Sequence, residues 1–450
     1  MYIRAQRFSR WSVSCQQLLV NGTMPLETFL NKIKNIKSNM EVRNLEKMKK
    51  QLLEYKELLF LALCGFLIGV IVGAIDAGFG RVLLAITSFR DSNIVWLLPW
   101  LAPAGVVIVW VYQKFGGTSS KGMGLVFEVG HGVEEEIPLR LIPFVIGGTW
   151  LTHLFGGSAG REGVAVQIGA TFSHWFGRKI GGKERAKVFL VAGMAAGFAG
   201  LFGTPLAAVL FALEVLVCGA LQYEALIMAV VSAFTASMTA GALGLEKFEH
   251  HLGISVQLNG KLFLILACLG IIFGLVGTLF AVSLKTIKQK LGEALKNPIA
   301  RILLCGILLS ILLLLLNRGR YAGLGTNLIY ASFEGKTVYS YDWILKLLLT
   351  VFTLSAGFQG GEVTPLFSIG ASLGVVVAPF FGIPSLLGAA LGYAAVFGSA
   401  TNTFLAPIFI GAEVFGYEYL PCFFVVCTFA YLVNGNHTIY SLQRSILKKS

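Results

Sequence analysis

From residue 57 to residue 445 the chain is a succession of apolar runs, yet few of them have the length that a membrane crossing needs. A helix that spans a hydrocarbon core of ~30 Å takes about 20 apolar residues. Runs at 58–78, 94–112, 141–156, 223–245, 261–284, 301–316 and 418–434 approach that length. Between them lie shorter pieces at 163–176, 188–202, 205–217, 364–380, 385–398 and 403–416, punctuated by Gly and Pro. A piece that short ends at membrane depth, where unpaired backbone groups are tolerated only inside protein or along an aqueous site. The expected fold class is an all-α integral membrane protein with broken, partly spanning helices.

Composition excludes the soluble classes. With 56% hydrophobic and 13% charged residues and a mean hydropathy of +0.75, the chain has about half the ~25% charged residues that clothe a soluble globule. A net charge of +13 invites a nucleic-acid partner, but its distribution argues against one. Residues 1–56 carry eleven Lys and Arg against four Glu, just ahead of the first apolar run. Further basic clusters stand at Arg178, Lys179, Lys183, Arg185 and Lys187 and at Arg444, Lys448 and Lys449. This is the positive-inside pattern, and it predicts a multi-pass protein of the cytoplasmic membrane with both termini in the cytoplasm. Residues 1–56 are the expected basic N-terminal cytoplasmic segment, of which residues 1–50 read as partly helical on the anionic leaflet, or as sequence upstream of a start at Met24, Met40 or Met48. No cleavable signal peptide is discernible. Six of seven cysteines sit inside apolar runs, and the six histidines have no ligand spacing. Neither a metal nor a cofactor is expected.

Two halves are legible by internal comparison. Gly122-Met123-Gly124-Leu125 returns as Gly323-Leu324-Gly325-Thr326, and Ile168-Gly169-Ala170 as Ile369-Gly370-Ala371, each 201 positions on. Residues 193–215 share nine identities in 23 with 392–414, at an offset of 199. Gly65, Gly69 and Gly73 resemble Gly270, Gly274 and Gly277 more loosely. The expected division is a membrane repeat over 57–247 and a second over 258–445. Broken helices that meet at a repeat interface are how many secondary transporters build a midplane site.

Arg161 and Glu162 stand in GGSAGREGVAVQ with apolar sequence on both sides. An ionisable residue at membrane depth costs ~2.5–3.5 kcal/mol even on the mildest scale, so it marks a function or an ion pair. A helix starting at Gly163 and Val164 would aim free N–H groups into the membrane interior as an anion site, with Glu162 as a built-in anion at its rim. In the second half, Gly360-Gly361-Glu362-Val363-Thr364-Pro365 repeats the arrangement. Thr364 followed by Pro365 reads as an N-cap and first helical position, as does Thr204-Pro205. Two carboxyls near one anion site repel the ion unless one is protonated, so proton and anion occupancy should be linked.

Residues 121–128, 160–169 and 357–374 and Tyr440 resemble the CLC chloride channel and transporter family, over about residues 57–445. The resemblance implies two inverted repeats around a central anion site, a homodimer with one pathway per subunit, Glu162 as the external gate, and an anion-facing hydroxyl on Tyr440. It also implies departures. Where chloride members carry GSGIP, this chain has Gly122-Met123-Gly124-Leu125-Val126; GIFAP becomes Gly361-Glu362-Val363-Thr364-Pro365; GREGP ends in Val164. Met123 together with Glu362 and Thr364 looks like the fluoride-selective, fluoride/proton antiporter branch. The inner proton glutamate of many chloride/proton exchangers is replaced by Val215, and Glu362 is the candidate to supply that route. Fluoride is small and strongly hydrated, so close donors must replace its water. Gly163, Val164 and Val363 N–H groups and the Thr364 and Tyr440 hydroxyls are the expected donors.

The expected function is therefore fluoride export in exchange for protons, with Glu162 and Glu362 moving protons. The expected anion-binding residues are Gly122, Met123, Gly124, Gly163, Val164, Val363, Thr364 and Tyr440. Partners are fluoride or chloride, protons and lipid. A chloride/proton exchanger and a passive anion channel remain alternatives. Gly156-Gly157-Ser158-Ala159-Gly160 also matches the GxSxG nucleophile elbow, which as an enzyme site would need a strand before Ser158 and a placed His/Asp pair.

Overall fold

The computed structural model describes residues 25–446. Residues 1–24 and 447–450, including Arg4, Arg7, Arg10, Lys448 and Lys449, lie outside the described residues, so the basic segment expected over 1–56 is described only in part. By its contacts the chain forms two units, Met1–Leu61 and Ala62–Ser450. The described part of the first is helical from Leu26, with Lys34, Lys47, Lys49 and Lys50 exposed.

The first half holds α1 (Leu26–Leu97), α2 (Leu101–Val111), α3 (Met123–Gly130), α4 (Leu141–Leu154), α5 (Glu162–Ile180), α6 (Gly182–Phe202), α7 (Pro205–Glu214) and α8 (Leu226–Ala242). The second holds α9 (Gly260–Ala294), α10 (Pro298–Leu315), α11 (Thr326–Phe333), α12 (Asp342–Ala356), α13 (Val363–Val377), α14 (Ser385–Thr401), α15 (Leu405–Phe415) and α16 (Leu420–Val433). The halves match helix for helix, down to the eight-residue α3 and α11 that carry the repeated Gly-x-Gly motif at their start. Among the described residues six segments are long and apolar enough to cross a membrane.

Several boundaries differ from expectation. The run 58–78 lies inside the long first part of α1, and the run 94–112 follows the break at Asn93, where the backbone leaves helical geometry. Asp76 and Arg90 on α1 are buried in protein, and Arg90 donates to Asp91 Oδ1 (2.6 Å) and His153 O (3.3 Å). The pieces expected at 163–176 and 188–202 are whole helices of 19 and 21 residues. The helix α12, whose polar residues interrupt its apolar run, was not expected at all.

What makes the halves repeat is visible where α5 crosses α6 and α13 crosses α14. A Cβ on Gly193 would stand 2.2 Å from Gly169 O, and one on Gly392 would stand 2.1 Å from Gly370 O. Only glycine lets these backbones approach so closely. The same symmetry appears in reciprocal caps. Glu214, at the end of α7, accepts from the N–H groups of Phe404, Leu405 and Ala406 at the start of α15 (3.2, 3.1 and 2.8 Å). Its counterpart Glu413, on α15, accepts from Leu206 and Ala207 at the start of α7 (3.0 and 2.9 Å). Each carboxylate satisfies orphan donors of the other half's broken helix. Finally, Gly160 and Gly361, 201 residues apart, exchange both backbone hydrogen bonds in antiparallel register (2.5 and 2.8 Å). Equivalent residues that bond each other reciprocally lie about a local two-fold axis.

Candidate functional site

The Gly160–Gly361 pair brings the starts of α5 and α13 to one place. The Glu162 side chain is 1% exposed and does not sit on its own helix. Its Oε2 accepts the N–H of Thr364 (3.1 Å), the Thr364 hydroxyl in a short hydrogen bond, and the N–H of Arg161 (3.4 Å). The Glu162 carboxylate of the first half is thus seated on the first turn of a helix in the second half. The Glu362 side chain comes close to the first turn of α5: a Cβ on Gly163 would stand 3.6 Å from Glu362 Oε2. Arg161 Nε lies 3.5 Å from Glu162 Oε1, an ion-pair distance. The arrangement places one carboxylate where an anion would be held by a helix N-terminus and a hydroxyl.

A cavity of about 780 Å³ leads to this point, with Gly122, Met123, Gly124, Gly163, Glu362 and Tyr440 in its wall. Glu162 and Thr364 are buried beyond its end. Tyr440 reaches it because the C-terminal segment is stitched to the interior. Its strand Arg444–Ser445 (β2) pairs in parallel with Val217–Cys218 (β1) after α7, Gln443 Nε2 donates to Val215 O (2.9 Å) and Thr401 O (3.1 Å), and Ile439 N donates to Ala400 O (2.9 Å). The Tyr440 ring stacks on Phe127 at 5.2 Å, and its buried hydroxyl has no hydrogen-bond partner among the described residues.

Two expected details change. The helix α13 begins at Val363 with Glu362 at its N-cap, so Thr364 and Pro365 lie within the first turn. Proline is accommodated there because first-turn N–H groups have no helical partner to lose. As a first-turn group the Thr364 N–H has no partner within its own helix and is taken by Glu162. Likewise α5 begins at Glu162, and the Val164 N–H is taken by Arg161 O (3.1 Å), so Val164 offers no free donor. Val363 is buried in the first turn of α13. The cavity wall also holds residues that sequence reasoning missed: Gln167, Lys285, Lys288 and Arg301. Gln167 lies one turn after Gly163, and its Nε2 donates to Gly163 O (3.2 Å). The i, i+4 spacing from Gly163 was the signal for it; for the cations it was their position at the end of α9 and start of α10. The nucleophile-elbow pattern lacks its partner, since both His153 ring nitrogens face backbone carbonyls, Thr149 O at 2.8 Å and Ala159 O at 3.0 Å.

The profile of the family described as voltage gated chloride channel matches residues 104–435. The chain belongs to the voltage gated chloride channel family. A chloride/fluoride channel protein of Pseudomonas syringae pv. tomato is 38% identical over 403 residues, 86% of each chain. Among solved structures, a CLC-type fluoride/proton antiporter superposes with a TM-score of 0.86 at 54% identity, over 87% of this chain and 99% of that one. A slow cyanobacterial Cl⁻/H⁺ antiporter gives 0.74 at 20% identity, over 85% and 96%, and speaks for the fold alone. The fold is thus the CLC-type fold, and the elements that converge at Glu162 are those of a family of membrane anion transporters.

Proposed function

We propose that the chain is a secondary active transporter that expels fluoride from the cytoplasm in exchange for protons. The observation that carries the reading is the Glu162 carboxylate seated on the Thr364 N–H and hydroxyl, an internal anion occupying an anion site of the opposite half. Fluoride arriving along the cavity competes for those donors. Protonation weakens Glu162 as an acceptor, so the protonated side chain leaves and fluoride takes its place. Glu362, at the cavity end, offers its acidic hydrogen to fluoride when protonated, and Tyr440 offers a hydroxyl with no other hydrogen-bond partner among the described residues. Such close donors favour fluoride over chloride, because the smaller ion gains more from short charge-assisted hydrogen bonds. Met123 supports the same preference by placing a thioether, a poor donor, at the cavity wall. The fluoride/proton antiporter at 54% identity supports the choice of ion and of coupling.

The protein works as a homodimer in the cytoplasmic membrane, with both termini inside and the basic cavity opening to the cytoplasm. The positive-inside charge pattern supports that orientation. Hydrogen fluoride enters cells neutral and dissociates, and the proton gradient then drives the trapped ion out. Proteoliposomes loaded with fluoride and placed in a pH gradient test the reading with a fluoride-selective electrode. Fluoride should move against its own gradient when protons flow the other way. Chloride moving in its place identifies a chloride/proton exchanger, and downhill movement alone identifies a passive channel.

A further inference from the structure

The helix α12 carries a polar seam through an otherwise apolar helix: Asp342, Lys346, Thr350 and Thr353, spaced i, i+4, i+8 and i+11 on one face. All four side chains are fully buried. Asp342 is spent on Arg320 Nη2 (2.7 Å), the Tyr321 hydroxyl (2.7 Å) and the Tyr339 N–H (2.9 Å). Lys346 has no carboxylate within ion-pair distance among the described residues. Its Nζ donates instead to three neutral oxygens: Gly323 O (2.7 Å), Ser158 Oγ (2.9 Å) and Tyr321 O (3.2 Å). Three acceptors match the three hydrogens of an ammonium, which makes the site a complete cradle for the charged form.

Two of those acceptors are Gly323, which opens the second half's copy of the Gly-x-Gly motif, and Tyr321, two residues before it, and the third belongs to the loop that presents the gate. The rest of the seam grips the same loop. Thr350 Oγ1 bonds Ser158 Oγ (2.8 Å), and Thr353 Oγ1 accepts the Ser158 N–H (3.3 Å). The two loops also bond each other, Gly323 N to Gly157 O (3.1 Å) and Ala159 N to Gly323 O (3.2 Å). Gly160 and Arg161 follow directly. Ser158, the centre of the unused GxSxG pattern, is therefore the handle by which α12 holds the gate loop.

We propose that Lys346, with Thr350 and Thr353, is a positioning clamp that keeps Arg161 and Glu162 in register with the start of α13, so that the gate leaves its seat only on protonation. Loosening the clamp lets the loop yield without a proton, and fluoride slips through uncoupled. The proposal rests on the fluoride/proton exchange proposed above.

The test measures fluoride and proton movement together in proteoliposomes, for the wild type and for Lys346→Met, Thr350→Val and Thr350→Ser. Losing one bond to a charged group corresponds to roughly a tenfold rise in the yielded population, so Lys346→Met, which loses three, should raise proton-free fluoride leak by roughly tenfold or more. Thr350→Val, which keeps the shape and loses the hydroxyl, should leak in the same direction even if Lys346→Met fails to fold, and Thr350→Ser should restore coupling. An equal fall in both fluxes at a constant proton-to-fluoride ratio, or an unchanged ratio in Thr350→Val, overturns the clamp. A wild type that moves fluoride with no protons overturns the exchange reading instead and leaves the two failures distinct.

Discussion

Glu162 is one carboxylate among several buried acids, and its neighbours give it a role that the others lack. Glu214 and Glu413 are held by two or three backbone N–H groups each, as fixed caps. Glu162 has a hydroxyl and two N–H groups on one oxygen and only a 3.5 Å ion pair on the other, beside a cavity whose wall includes Gly163. An amide in its place keeps the size and loses the titratable proton. Glu162→Gln should therefore stop proton movement in proteoliposomes while leaving fluoride leak at most, as followed by a pH dye and a fluoride electrode. Met123 belongs to the same scale. Met123→Ser puts a hydroxyl on the cavity wall where a chloride ion would accept it. One hydrogen bond is about 1 kcal/mol, so the fluoride-to-chloride flux ratio should fall roughly tenfold or somewhat less.

At the scale of elements, the site depends on helices that cross more closely than side chains permit. The pairs α5/α6 and α13/α14 carry the broken starts that meet at Gly160 and Gly361, and each crosses over glycine. Gly392→Ala forces a methyl group against the Gly370 carbonyl, an overpacking of roughly 1–3 kcal/mol or more. The variant should melt at lower temperature in detergent, and its fluoride flux should fall because the start of α13 is displaced with the helix. The repeat was legible as a block of identities at an offset of 199, with Gly193 and Gly392 among them. What those identities do was not legible, because a close backbone crossing leaves no periodic trace. Thr364 illustrates the same limit. Its N-cap pattern is a good local signal, yet the helix starts two residues earlier and the Thr364 N–H and hydroxyl serve Glu162 instead of capping their own helix.

Across the whole molecule, charge is arranged around the cavity. Lys285, Lys288 and Arg301 face it from α9 and α10, with Lys121 at the start of α3, and Glu362 stands at its end. Low-dielectric walls focus such a field and raise the local concentration of anions. The double variant Lys285→Gln/Lys288→Gln should lower initial fluoride flux on the order of tenfold at ~0.01 M ionic strength, where charges act over ~30 Å, and little at ~1 M, where they act over ~3 Å. Flux traces in an impermeant salt series check it. Equal losses at every salt concentration would mean that these lysines do not act by steering.

Apolar runs, motifs that return about 200 positions on and acids beside the helix starts follow from the order of residues, because hydropathy, spacing and the rarity of buried charge are local properties. The partner of each acid does not. Glu162 and Thr364 are 202 positions apart, and only folding decides that the acid of one half docks on the helix of the other. No span is expected around the buried lysine of α12, since a charge in an apolar run is costly until its three acceptors are known. Tertiary packing supplies them from two distant loops, and that is what turns an interruption in the pattern into part of the gate.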